Sequence, residues 1–350
     1  MPSTLHLDAN HPADRERAAS ILRDGGLVAF ATETVYGLGA NALSADAVAG
    51  IFRAKQRPSW DPLIVHIAAA AQLAAIASVP PSLAARVSAL ASAFWPGPLT
   101  LLLPRSANIP DAVTAGRPLV GVRMPAHAAA LALLEAVQLP IAAPSANRFG
   151  HTSPTTAAHV LTDLDGRIDA VLDAGPTSIG LESTVLDPTQ TPMVIYRPGA
   201  VTATQITAVT GIAVELFQPD DSSSPAAPPQ ALPSPGVGIR HYAPRARLVL
   251  TAGDEEALSR ELIELEPSLS ERVGIMLPTG WRFESLSQPS AIVVEPWAAW
   301  DDPNALAARL FAGLRALDDC GVTVILCPLP PAGGISDAIL DRLRKAARPA

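Results

Sequence analysis

Lys55 and Arg57 stand two residues apart in the polar cluster Lys55-Gln56-Arg57-Pro58-Ser59-Trp60-Asp61-Pro62, so one polyanion could meet both cations. An arginine fork fits phosphate oxygens in pairs, while a lysine acts as a point charge. Lys55 and Lys345 are the only two lysines, against twenty-three arginines, which sets Lys55 apart. About ninety residues on, the run Ala142-Ala143-Pro144-Ser145-Ala146-Asn147 leaves an apolar strand with a hydroxyl and an amide two residues apart. Taken alone, Lys55 and Arg57 would be a solvated helix end, where cations offset the dipole. The flanking prolines, the scarcity of lysine and the Ser145/Asn147 loop favour an anion site made of two halves.

The elements that must position these residues follow from periodicity. A helical pattern over 44–54 precedes the cluster and an apolar run over 63–67 follows it, which puts the cations on a short loop. Further strands are expected at 27–31, 99–103, 119–123, 141–143, 170–172, 184–186 and 194–196, with helices near 82–93, 127–137 and 155–163. Some neighbouring strands have no helix between them, so the class is α/β with a mixed sheet, not a strictly parallel one. Residues 218–244 hold seven prolines and three consecutive serines, a semi-rigid linker. Beyond it, strands at 248–250, 273–277, 292–294 and 322–327 alternate with helices at 255–265, 304–318 and 336–346. That alternation indicates a smaller parallel sheet, Rossmann-like in architecture only. The expected organisation is a catalytic domain over 1–213, a proline-rich linker or lid over 214–244, and a C-terminal α/β domain over 245–350.

Composition narrows the function classes. A chain of 350 residues with 49% apolar content suits two domains with sizeable cores. Its formal charge of −8 argues against coating nucleic acid by bulk electrostatics, so any RNA contact would have to be local. The acidity concentrates after residue 213, where twelve Lys/Arg meet eighteen Asp/Glu. No apolar run approaches the roughly 20 residues of a membrane span, and the first residues lack a signal peptide's pattern, so a cytoplasmic location without membrane contact is expected. Cys320 and Cys327 lack zinc-site spacing and read as two buried reduced thiols. Gly37-Leu38-Gly39-Ala40-Asn41-Ala42 fits a dinucleotide pattern, yet Thr32 to Tyr36 separates it from the preceding apolar strand, so NAD is not expected. Its glycines read as room for a ligand close to the backbone, beside the Thr34 hydroxyl. No Ser-His-Asp, HExxH or Walker A arrangement occurs, which points away from a covalent enzyme intermediate.

Several motifs together resemble the YrdC family of threonylcarbamoyl-AMP synthases. They are Thr32-Glu33-Thr34-Val35-Tyr36-Gly37-Leu38-Gly39, the Lys55/Arg57 and Ser145/Asn147 pairs, Pro62-Leu63-Ile64-Val65-His66 and Trp95-Pro96-Gly97-Pro98-Leu99-Thr100. Val122-Arg123-Met124-Pro125, Glu182-Ser183-Thr184-Val185 and Arg197-Pro198-Gly199 complete a resemblance over roughly 10–212. Ser234-Pro235-Gly236 and His241-Tyr242-Ala243-Pro244 resemble the linker of the two-domain members. The resemblance implies a twisted mixed sheet around a concave cavity. It also implies condensation of L-threonine, bicarbonate or CO2, and ATP with Mg2+, giving threonylcarbamoyl-AMP and pyrophosphate. Downstream machinery would then modify tRNA adenosine beside the anticodon, and contact of this chain with tRNA is expected to be weak or indirect.

Carried over by motif, Thr34, His66, Arg123, Ala143 and Ser183 would form the threonine pocket. Lys55, Arg57, Asp61, Ser145, Asn147, Ser153, Arg197, His241 and Tyr242 would meet ATP, with Lys55 and Arg57 as the catalytic cations. A strand-end arginine such as Arg123 needs an anion if buried. His66 also fits a satisfied structural histidine, and Ser183 and Ser145 also fit turn or cap roles. Asp61 stands where the family has asparagine, and Leu119 where it has threonine; Asp61 would repel phosphate unless it faces a cation. Two rival functions are an RNA-binding module, which lacks a basic stripe or aromatic array here, and a carbamoyl-adenylate enzyme with another substrate.

Overall fold

The computed structural model describes residues 3–218, 234, 242–265, 272–283 and 292–348. β1 (Leu5–Asp8), α1 (Pro12–Arg23), β2 (Val28–Ala31) and β3 (Tyr36–Asn41) come first. Then follow α2 (Ala45–Lys55), β4 (Ile64–His66), α3 (Leu73–Ile76), α4 (Pro81–Phe94) and β5 (Leu99–Pro104). α5 (Asp111–Thr114), β6 (Leu119–Arg123), α6 (Ala128–Val137), β7 (Ile141–Ala142), α7 (Ala157–Leu164) and β8 (Ala170–Asp173) are next. β9 (Thr184–Asp187), β10 (Met193–Arg197), α8 (Ala203–Thr210) and β11 (Val214–Leu216) close the first sheet.

That sheet has eleven strands in the order β1-β8-β2-β3-β7-β4-β6-β5-β9-β10-β11. It is mixed, as expected: β4 runs parallel to β6 but antiparallel to β7, and β5 runs antiparallel to β6 but parallel to β9. Alternation along β2 sends Ala29 and Ala31 into one apolar cluster and Val28 and Phe30 into another. The sheet centre is therefore buried on both faces, and its strands read in sequence as continuous apolar runs. Residues of α1 and α6 cover one face, and residues of α2, α4 and α7 cover the other.

Two local readings change. The glycine-rich run is a strand: β3 pairs antiparallel with β2, with Gly39 opposite Val28. A Cβ on Gly39 would come within 2.9 Å of the Phe30 ring, so the missing side chain makes room for sheet packing, not for a ligand. Gly37 and Gly39 lie inside that strand and α2 begins only at Ala45, whereas the glycines of a dinucleotide fingerprint form the turn into the helix. Val214–Leu216, assigned to the linker, instead pairs parallel with β10.

The contacts divide the chain into two compact units. The second holds Gly150–Ser153, Ile179–Leu181 and the chain from Ile239 onward; the first holds the rest. Within the second unit lie β12 (Arg247–Thr251), α9 (Glu255–Glu264), β13 (Val273–Leu277), β14 (Ile292–Pro296), α10 (Pro303–Asp319), β15 (Val324–Pro328) and α11 (Ser336–Ala346). All pairings among its four strands are parallel, in the order β12-β15-β13-β14. The last strand is inserted beside the first and second, which departs from the dinucleotide order in which the first two are neighbours. Cys327 is buried in β15, and burial pushes its thiol pKa up; Cys320 is exposed, contrary to the expectation of two buried thiols.

Candidate active site

The turn between β2 and β3 is made of Thr32, Glu33, Thr34 and Val35, and all four are buried. A buried turn must satisfy its own polar groups. Thr32 does much of this: its Oγ1 accepts from the amides of Thr34 and Val35, at 3.2 and 3.3 Å, and donates to the Val35 carbonyl at 2.7 Å. The turn thereby holds Thr34 Oγ1 and the Glu33 carboxylate toward the end of β6.

Arg123 ends β6, directly opposite His66 in the parallel register with β4. Its side chain is 4% exposed and engaged on three sides. Nε donates to the Gly97 carbonyl at 3.2 Å, Nη1 donates to Thr34 Oγ1 at 2.8 Å, and Nη2 meets Glu33 Oε1 at 2.6 Å. The last contact is ionic without hydrogen-bond alignment, since neither Glu33 oxygen nor Arg123 Nη2 has a hydrogen-bond partner. His66 lies edge-on to Phe30, with centroids 6.2 Å apart. Burial, then the neighbouring Arg123 charge, lowers its pKa to about 3, so the imidazole is neutral at physiological pH.

Ser183 precedes β9, and its hydroxyl lies 2.8 Å from Thr100 Oγ1 on β5. Arg197, at the end of β10, donates from Nη2 to the Ser183 hydroxyl at 3.1 Å and from Nε to the Ser183 carbonyl at 3.0 Å. Gly199 permits this approach, because a Cβ there would sit 2.4 Å from the Thr184 amide nitrogen. Ala143 follows β7, with its amide donating to the Ile64 carbonyl at 2.8 Å. These hydrogen bonds hold Arg197 against Ser183, and its charge also reaches Asp61.

The second half of the site gathers at the end of α2. Lys55 is the last residue of that helix instead of a loop residue, and Gln56 caps it in the left-handed region with φ 54°. Lys55 is 1% exposed, and its Nζ donates to the Ser145 carbonyl at 2.6 Å and to the Asn147 carbonyl. The two motifs do converge, but through an ammonium that ties down the second loop by its backbone. Desolvation, then the nearby Arg57 charge, lowers the Lys55 pKa well below the usual lysine value. Arg57 is likewise turned inward: Nε donates to the Asp61 carbonyl at 3.2 Å and Nη2 to the Pro62 carbonyl at 2.8 Å. Nη2 also lies 2.9 Å from the Asp61 carboxylate, so the acidic residue that replaces asparagine faces a cation. Burial raises the Asp61 pKa, opposed by Arg57 and Lys55.

The start of β3 joins the two halves. Two residues after Thr34, the Tyr36 carbonyl accepts from the Ala146 amide at 2.8 Å, and Gly37 bridges Ser145. Ser153 and Tyr242 belong to the second unit. Tyr242 is buried there, stacked on Phe311 at 5.8 Å and covered by the Arg342 guanidinium at 5.0 Å. His241 and residues 219–233 and 235–240 of the expected linker or lid over 214–244 lie outside the described residues. Sequence reasoning passed over Glu33 and Thr100, although both stand inside quoted motifs; a buried polar residue gives no periodic signal of its partner.

Comparison with known proteins places this geometry. Residues 20–199 match the Sua5_yciO_yrdC family model, described as "Telomere recombination". The chain belongs to the Sua5/YciO/YrdC family. Residues 201–348 match the Sua5 C-terminal model, described as "Threonylcarbamoyl-AMP synthase, C-terminal domain". The family resemblance extends over the whole chain in individual members. The threonylcarbamoyl-AMP synthase of Pyrococcus abyssi is 42% identical over 332 residues, covering 94% of this chain and 92% of that protein. The Bacillus subtilis protein of the same name is 43% identical over 349 residues, covering 98% and 95%. The crystal structure of P. abyssi Sua5 complexed with L-threonine superimposes with a TM-score of 0.83 at 40% identity, covering 98% of this chain and 97% of that one.

Proposed function

We propose that this chain is an L-threonylcarbamoyladenylate synthase, a nucleotidyltransferase acting on L-threonine, bicarbonate or CO2, and ATP. The observation that carries the reading is Arg123: a buried guanidinium at a strand end, bonded to Thr34 and adjacent in register to His66. Such a fork suits the carboxylate of a small amino acid. The P. abyssi relative bound to L-threonine supports threonine as that amino acid.

The chemistry asks for positioning more than for a protein nucleophile. Threonine's free amine condenses with bicarbonate, releasing water, and a carbamate oxygen then attacks the α-phosphorus as the bond to pyrophosphate breaks. Neutral His66 and the hydroxyls of Thr34 and Ser183 would select the substrate hydroxyl. Lys55 would serve ATP indirectly, by fixing the loop from Ser145 to Asn147, and an arriving phosphate would favour its charged form. Mg2+ would enter with ATP, held by phosphate and water oxygens. Among the described residues no cluster of three His, Cys, Asp or Glu side chains is arranged to hold a metal, and the Asp61 carboxylate is taken by Arg57. The product, a reactive mixed anhydride, would be consumed by a transferase that modifies tRNA adenosine. No helix among the described residues is long and apolar enough to cross a membrane.

The test is to incubate the protein with ATP, magnesium, bicarbonate and each amino acid in turn, measuring pyrophosphate and the adenylate by mass. Threonine is expected to give threonylcarbamoyl-AMP, serine to be the nearest competitor, and valine to lose about 1–3 kcal/mol through unpaired pocket groups. Equal turnover of valine, or pyrophosphate release independent of any amino acid, would overturn the reading.

A further inference from the structure

The Glu33 carboxylate is 91% buried, at 9% side-chain exposure, yet neither of its oxygens has a hydrogen bond. A buried carboxylate normally collects two or more donors, and one left with a single off-axis ionic contact is costly to hold. The rest of its turn is fully served: Thr32 and Thr34 bond within the turn, and Thr34 also receives Arg123 Nη1. Within the turn, it is Glu33 that is under-coordinated. Its partner Arg123 Nη2 is too, although they touch at 2.6 Å.

Charge balance says what would complete it. With Glu33 and Arg123 together the pocket is neutral. A substrate carboxylate arriving at Arg123 sets two carboxylates against one guanidinium, leaving a buried charge of −1 that disfavours binding. A simple carboxylic acid would bear that penalty in full. A zwitterionic amino acid brings its own ammonium and restores neutrality, provided the ammonium meets Glu33. We infer that Glu33 is the α-ammonium site of the amino-acid pocket, so that the Arg123/Glu33 pair is matched to the incoming zwitterion and discriminates against analogues that lack the amine. The inference rests on the threonine reading above and adds the residue that recognises the amine. The other titratable group near Glu33 is His127, which burial lowers toward the neutral form and which therefore supplies no competing cation.

The experiment measures binding to the full chain by calorimetry for L-threonine and for its analogue without the amine, 3-hydroxybutanoate, in the native protein and in Glu33→Gln. Native protein is expected to prefer threonine by at least about 10-fold, the value of one charge-assisted hydrogen bond. In Glu33→Gln the preference is expected to fall to within about 3-fold, chiefly through weaker threonine binding. Circular dichroism and the thermal midpoint check that the variant is folded, and Glu33→Asp, which keeps the charge, is expected to retain part of the preference. An unchanged preference in folded Glu33→Gln overturns the inference and leaves the threonine reading standing. Equal affinity of native protein for both ligands overturns it without recourse to any variant. Failure of native protein to bind threonine at all overturns both.

Discussion

Two buried cations anchor the two halves of the site, and they are held by different kinds of partner. Arg123 sits on a strand and meets a carboxylate, a hydroxyl and one carbonyl. Lys55 sits at a helix end, and its Nζ donates to two backbone carbonyls. The first arrangement is a charge pair that a ligand can enter by exchanging like for like. The second is a clamp on a loop, whose charge is disfavoured by burial until an anion comes near. The Arg123 half is thus organised by side-chain chemistry and the Lys55 half by backbone geometry.

The sharpest way to break this contrast is to remove each cation with a residue of similar length. Arg123→Met leaves Glu33 as a buried, uncompensated carboxylate and is expected to cost about 3–5 kcal/mol in denaturant unfolding. Adding Glu33→Gln to it is expected to recover most of that loss. Lys55→Met leaves two carbonyl acceptors but no orphaned charge, and about 1–3 kcal/mol is expected. Equal costs for the two single variants would erase the distinction.

A smaller effect separates the halves by pH. His66 has a folded pKa of about 3, below the usual 6.5, so the unfolded chain binds its proton first. Stability from this group is fully present above about pH 6.5 and is lost as pH falls toward 3. At pH 5 the loss is about 2 kcal/mol. His66→Gln is expected to remove that part of the acid limb, read as the difference in denaturant midpoint between pH 7 and pH 5. An identical pH response in native protein and variant would show that His66 is not held neutral.

The smallest expected effect concerns the hydroxyl pair behind Ser183. Thr100→Val removes a buried partner at 2.8 Å and is expected to cost about 1 kcal/mol. Because Arg197 still holds Ser183, amino-acid selectivity is expected to change less than stability. A collapse of threonine-over-valine preference in that variant would move Thr100 from support into recognition.

Much of the frame was readable in advance because local patterns carry it. β6 and β13 occupy the spans the apolar runs indicate, and α11 begins and ends where its pattern does. Elements that lack a strong apolar stripe were passed over, such as α1, and so was β3, whose glycines hid a strand. α8 carried a legible sign in Thr202 and Gln205, which form a capping box, but its eight residues are too few for a persuasive period. β11 is only three residues long and half exposed, so only pairing with β10 makes it a strand.

By itself the sequence determined residue chemistry: which positions carry a fork, an ammonium, hydroxyls or a neutral small side chain, and which runs must be buried. Those properties are local, and ordered motifs preserve them. The tertiary structure alone decided what each charge faces. Lys55 turns onto carbonyls ninety residues away, Arg57 closes on Asp61 four residues ahead, and Arg123 meets Glu33 across an intervening stretch of several strands. Strand order sets those meetings, and burial then sets their protonation. Neither can be computed from a residue's own neighbours in sequence, because the free energy of a buried charge depends on the groups that fold around it.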